Sequence, residues 1–203
     1  MGDIERTGTL DFSECDHTYR LDGIVIPSVT TIMSLLSMKE YGAVDPRTLE
    51  KAAHRGTAVH DAIENFCKYN IPDIDPEFEG YMDAFMGWWE AAKPDVHASE
   101  MKTYHKILLY AGTVDLYASI NGVKTLIDFK TTSKLIESNC RVQLEAYAQA
   151  LESHGLKVER KAIVHLSKDG RWKEHSFQIN DAEAWSVFGS LKNVYEYINA
   201  YMK

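Results

Sequence analysis

The stretch Ala111–Thr132 (AGTVDLYASINGVKTLIDFKTT) carries two aspartates and a lysine at spacings that a pair of strands would bring together. Asn121-Gly122 lies between two strand-like runs and is the strongest short-range signal for a two-residue type I′ hairpin. A loop there sets Ile120 opposite Val123, and the same register sets Asp115 opposite Asp128 and Thr113 beside Lys130. Side-chain alternation then separates two faces. Val114, Leu116, Ala118 and Ile120 with Val123, Thr125, Ile127 and Phe129 form a core face. Thr113, Asp115, Tyr117 and Ser119 with Lys124, Leu126, Asp128 and Lys130 form the other. Directly opposed carboxylates destabilise a sheet by up to ~1 kcal/mol, and by more when desolvated. A divalent cation between them reverses the sign of the interaction, and oxygen ligands suit Mg2+ or Mn2+. Lys130 on the same face can position or deprotonate a water, or stabilise charge building on a phosphoryl group. The bland alternative is a solvent-exposed Asp/Asp/Lys cluster on a bare sheet face.

The elements that must position these groups are legible in part. Asp22-Gly23 between Thr18–Leu21 and Ile24–Ile26 predicts a hairpin. Ser28 is a plausible N-cap for a helix with Val29, Ile32, Met33 and Leu36 on its apolar face. Asp45-Pro46 opens a helix running to about Tyr69. A third helix over 76–92 carries Phe78, Met82, Phe85 and Trp89 as a core stripe. From 96 to 130 the period changes to two and predicts three strands, with Glu100 just ahead of one at 103–109. Helix returns at 137–153, strands at 160–166 and 172–178, and a last helix from Asp181 to the end. With no repeat or linker, the expectation is one domain over 1–203, residues 1–95 packing on a core of 96–203. The class is α/β (α+β), a central mixed β-sheet flanked by helices.

Composition narrows the function classes. The 203 residues are 45% hydrophobic and 26% charged, as in an ordinary globular protein. No apolar run approaches the ~18–20 residues of a membrane span. The first residues, Met1–Arg6, lack a basic region followed by an apolar stretch, so a cytoplasmic protein without membrane contact is expected. Cys15, Cys67 and Cys140 are too few and too far apart for a four-cysteine iron–sulfur cluster. The net charge of −8 argues against a nonspecific nucleic-acid coat, but the charge is uneven. Residues 1–100 carry 19 acids against 8 bases, whereas residues 101–203 carry 11 against 14. Six bases between Lys157 and Lys173 make a local polyanion face conceivable, a solvated charged hairpin being the plain alternative.

An ordered set of motifs resembles the PD-(D/E)XK nuclease superfamily, in its RecB-like and phage-exonuclease branch. The set is Gly112-Thr113-Val114-Asp115, Asp128-Phe129-Lys130 after twelve intervening residues, and Gln143-x-x-x-Tyr147 on a helix. Upstream lie Arg55-Gly56-Thr57-Ala58-Val59-His60 and the segment from His17-x-Tyr19 to Ile26-Pro27-Ser28-Val29-Thr30. Val114 stands where the motif's name has proline. The resemblance implies a restriction-endonuclease-like core and a stand-alone metal-dependent deoxyribonuclease, most readily an exonuclease. Asp115, Asp128, His60 and the Phe129 carbonyl would hold one or two Mg2+ or Mn2+ ions, and Lys130 would be the catalytic lysine. Gln143 and Tyr147 would line the site or the DNA strand. Glu64, one turn after His60 on the same helix face, and Glu100 are further site candidates; Arg141 and Lys134 are candidate phosphate contacts. The implied partners are linear DNA and a recombination protein, in phage or bacterial recombination or DNA processing. An endonuclease specific for structure or sequence, a catalytically silent DNA-binding recombination domain, and a module holding a structural Ca2+ are the alternatives.

Overall fold

The computed structural model describes residues 8–42 and 44–202, so the expectation drawn from Met1–Arg6 lies outside the described residues. Three short strands, β1 (Leu10–Ser13), β2 (Thr18–Leu21) and β3 (Ile24–Ile26), form an antiparallel sheet. Its Asp22-Gly23 turn takes the positive φ angles that a tight hairpin needs. Ser28 caps α1 (Val29–Ile32) by accepting from the Thr31 amide at 3.0 Å. A short α2 (Ser34–Tyr41) follows. Asp45 caps α3 (Pro46–Tyr69), which has proline in its first turn, and α4 (Glu79–Ala92) follows a 3-10 turn.

A five-stranded sheet then forms in the order β4 (Asp95–Tyr104), β5 (Ala111–Ile120), β6 (Val123–Lys130), β7 (Arg160–Leu166), β8 (Trp172–Phe177). All neighbours are antiparallel except β6 and β7, which α5 (Glu137–Ser153) connects as a crossover. The protein is thus α+β with a mixed sheet flanked by helices, ending in α6 (Ala182–Tyr201) capped by Asp181. Among the described residues no helix is long and apolar enough to cross a membrane.

The Asn121-Gly122 hairpin has the expected register from Ile120↔Val123 to Leu116↔Ile127. The two faces separate as expected apart from Val114, and neither is bare. Tyr117 and Leu126 are buried against α1, α5 and α6, while Leu116, Ala118, Ile127 and Phe129 are buried against α3 and α4. Val114 packs with Tyr117 and Leu126 rather than with Leu116, because the alternation breaks where the β5–β6 ladder ends. Trp88 is wholly buried beside Phe85 and Phe129, while Trp89 of the expected stripe is partly buried against Phe66 and Phe85.

Four of the six bases between Lys157 and Lys173 are neutralised, leaving Lys168 and Lys173 without a carboxylate partner among the described residues. Lys157 pairs with Glu159, Arg160 with Glu174, Arg171 with Asp169, and Lys161 with Glu145. The strand period buries Lys161, which faces the α5 carboxylate across the sheet.

Candidate active site

The site gathers where β5 and β6 part. The last ladder pair is Leu116↔Ile127; beyond it the Phe129 amide donates to Asp115 Oδ2 at 2.7 Å. Asp115 and Asp128 are therefore not a ladder pair, which corrects the expected register at its final step. Both are nonetheless withdrawn from solvent, at 8% and 2% exposure, so the cluster is not a surface one. On the other side of β5 the pairs run Ser99↔Leu116 and Met101↔Val114, skipping Glu100 and Asp115. Glu100 has φ +45°, a left-handed conformation costly for a residue with a side chain. It lies inside β4 rather than ahead of a strand at 103–109, and 105–110 is a turn. That backbone turns its carboxylate toward α3.

His60 on α3 meets this acidic corner. Its Nδ1 lies 3.3 Å from Glu100 Oε1 and 3.5 Å from Asp115 Oδ2, and its Nε2 lies 3.2 Å from the Phe129 carbonyl. One ligand atom from each of His60, Glu100 and Asp115 falls within 4.8 Å of the others. Three of the four expected metal-holding groups thus meet: His60, Asp115 and the Phe129 carbonyl. Asp128 is turned instead toward Lys130 and α5, and Glu100 takes its place. Lys130 Nζ lies 2.7 Å from Asp128 Oδ2, and Gln143 Nε2 donates to Asp128 Oδ1 at 2.9 Å. Oδ2 has the lysine as an ion-pair neighbour but no partner in hydrogen-bond geometry. Tyr147 is packed against Gly112, where a Cβ would come within 2.5 Å of its ring; glycine is required for that approach.

Three carboxylates face two cations here, and their titration reflects it. Burial disfavours the His60 imidazolium, but Asp115 and Glu100 outweigh burial and raise its pKa to about 9. Burial raises the Asp115 pKa, and Asp128 and Glu100 add to it against His60 and Lys130. For Lys130, burial is again outweighed by Asp128 and Asp115, so the amine stays an ammonium. The native site therefore holds His60's proton from pH 6.5, its ordinary value, up to about 9, where the unfolded chain has released it. That stabilisation is complete below pH 6.5 and lost as pH rises through about 9. Asp115, protonated above the ordinary carboxylate range, acts in the same direction. Thermal melts in EDTA should thus show stability falling over this window, and His60→Gln should flatten the fall. A cation competes with these protons, so stabilisation by saturating Mn2+ should grow with pH. Melts whose Mn2+ increment shrinks with pH would contradict this assignment.

A cleft of about 590 Å³ opens onto His60, Glu100 and Tyr147. Glu64 lines it too, in an ion pair with Lys68 at 2.5 Å. Gly56 borders the cleft in the interior of α3, yet a Cβ there would meet nothing within 4 Å. Helix packing does not require this glycine, and it costs the helix about 1 kcal/mol relative to alanine. Gly56→Ala should stabilise the fold by about that amount, read as a rise of roughly 2–4 °C in Tm.

Arg141 does not face the site, which corrects its reading as a phosphate contact. Its guanidinium is taken by Asp181 and Glu183 at the start of α6. Lys134 borders the site through a 240 Å³ cavity it shares with Lys130 and Gln143. Lys51, which has no role in the sequence pattern, Arg55 of the upstream motif and Lys168 of the basic run converge near Lys134 in a separate groove. Lys51 and Arg55 are one helical turn apart and so share a face of α3.

No protein-family model matches the chain, and no curated protein is similar to it. Among solved structures, one described as the crystal structure of SSO0001 is similar at 14% identity, over 70% of this chain and 73% of that one. Its TM-score is 0.36, a likeness too faint to bear on fold or function.

Proposed function

We propose that the protein is a divalent-metal-dependent deoxyribonuclease of the PD-(D/E)XK kind, acting on linear DNA from its ends. The observation that carries this reading is the buried meeting of Glu100, Asp115 and Asp128 with His60 and Lys130. A structural protein gains nothing from two carboxylates held out of water beside a third, with burial and its neighbours raising the pKa of Asp115. The donor set fits Mg2+ or Mn2+: carboxylate oxygens, the Phe129 carbonyl and one imidazole, with Asp128 Oδ2 buried and without a hydrogen bond. A bound cation supplies Lewis-acid neutralisation of the phosphate and a nucleophilic water at neutral pH.

The chain's own groups define the rest. Asp115 is fixed by the Phe129 amide and Asp128 by Gln143, so both carboxylates are preorganised. Lys130, kept cationic by Asp128 and Asp115, is suited to hold negative charge developing on phosphorus rather than to remove a proton. His60, protonated at neutral pH, would have to give up its proton to hold a cation. The open backbone at Gly56 leaves the cleft wall free for substrate, so Gly56→Ala should slow cleavage while stabilising the fold. Unchanged cleavage would remove that role from the opening.

The test is to incubate the protein with linear and covalently closed circular DNA in Mg2+, Mn2+ or EDTA. Loss of linear DNA alone, in metal alone, is the expected result. Nicking of the circle would establish the endonuclease alternative. Binding without cleavage of either form would favour the silent DNA-binding domain.

A further inference from the structure

On the far side of α3 from the acidic cleft lies a groove of about 760 Å³ lined by Lys51, Arg55, Lys134 and Lys168. No aspartate or glutamate lines it, in a chain of net charge −8. Arg141, Arg160, Lys161 and Arg171 sit against carboxylates, whereas these four cations are gathered in one groove. None of the four groove cations has a carboxylate partner among the described residues. Arg55 is held instead by neutral groups, with Nε 3.4 Å from Thr131 Oγ1 and the guanidinium over the Tyr81 ring at 5.6 Å. Its charge is thus oriented without an ion pair, with the acids Glu50 and Glu77 in the adjoining pocket. The hydroxyls of Thr131, Thr132 and Ser133 line the same wall, on the segment that leaves β6 directly after Lys130.

We propose that this groove carries the phosphodiester backbone of one nucleic-acid strand, on one side of the bond to be cut. This rests on the nuclease reading and adds to it the path of the strand. Hydroxyls and unpaired cations along a wall are the side-chain set that contacts phosphates without reading bases. The opposite cleft is bordered by Glu14, Asp61, Glu64 and Glu100, which repel a phosphate run unless cations intervene. The grip is therefore one-sided: a long arm lies over Lys51, Arg55, Lys134 and Lys168, and a short arm reaches past His60. A strand held in this way is cut near its end.

The test measures binding of a fluorescent oligo-dT strand by anisotropy, in EDTA, across a range of salt. In EDTA no cleavage interferes, so the result is independent of whether the protein is a nuclease. Lys51→Glu with Lys168→Glu should weaken binding at least tenfold. It should also shallow the log–log salt slope by about 1.4, at about 0.7 per lost phosphate contact on a single strand. Lys124→Glu with Lys173→Glu, the same charge change at exposed positions outside the groove, should change binding less than threefold. Equal losses from the two pairs, or no binding by the wild type, would overturn the groove. So would displacement of the strand by inorganic phosphate with a slope near one, the mark of a single-anion pocket. Failure of the nuclease reading alone would show differently, as intact groove-dependent binding with no hydrolysis in Mn2+.

Discussion

Lys130→Ala should lower the rate of metal-dependent DNA cleavage by about 10²–10³-fold, the usual cost of removing one preorganised group that faces transition-state charge. The fold should survive, because the amine sits at the C-terminal end of β6 and is partly exposed. Metal affinity should rise rather than fall. Lys130 lies 2.7 Å from Asp128 Oδ2 and helps neutralise it, so its removal frees that carboxylate for a cation. A lysine that served only to hold Asp128 in place would behave differently: cleavage and Mn2+ affinity would fall together. Calorimetric titration of Mn2+ beside the cleavage rate separates the two cases.

The largest effect on stability is expected at Lys161. Its ammonium and the Glu145 carboxylate are each only 1% exposed and form a buried pair between β7 and α5. Glu145 also accepts from the amide of Asp181, the residue that caps α6 and holds Arg141. Lys161→Met leaves the carboxylate buried with only the Gln149 amide and the Asp181 N–H as partners and no counter-charge, at a cost of about 3–5 kcal/mol. For a domain of this size that is a fall of roughly 6–20 °C in Tm. Adding Glu145→Leu removes the stranded charge and should recover most of the loss. Recovery in the double variant, read by denaturant midpoint, marks the pair as a folding element. A loss in the double variant equal to the sum of the singles would mean that the two side chains act independently.

Much of the frame could be read from local signals because turns and caps are written locally. Asp22-Gly23, Asn121-Gly122, Ser28 and Asp45-Pro46 each fix an element boundary within a few residues. β1 lacks such punctuation and was not expected, and neither was α2 as a separate helix. The hairpin placed Asp115, Asp128 and Lys130 at one end of a strand pair, but the final step of the register failed. Asp115 turns to accept from the Phe129 amide, an arrangement that depends on where the ladder stops. Glu100 reaches the site only through a positive φ inside a strand, which no periodicity predicts. The groove cations come from α3, the segment after β6 and the β7–β8 turn, so only the folded chain brings them together. Arg141, conversely, looked available in sequence because its partners Asp181 and Glu183 are about forty residues away.

The central claim is that the buried carboxylates hold a divalent cation which the protein uses to hydrolyse DNA. The most direct measurement follows end-labelled linear DNA with wild-type protein and the Asp115→Asn and Asp128→Asn variants, in Mn2+ and in EDTA. The expected result is cleavage by the wild type in Mn2+ only and its loss in both folded variants, with Mn2+ binding lost in Asp115→Asn. Cleavage that persists in EDTA, or that survives both substitutions, would contradict it, and so would a wild-type protein that binds Mn2+ at these residues and leaves DNA intact.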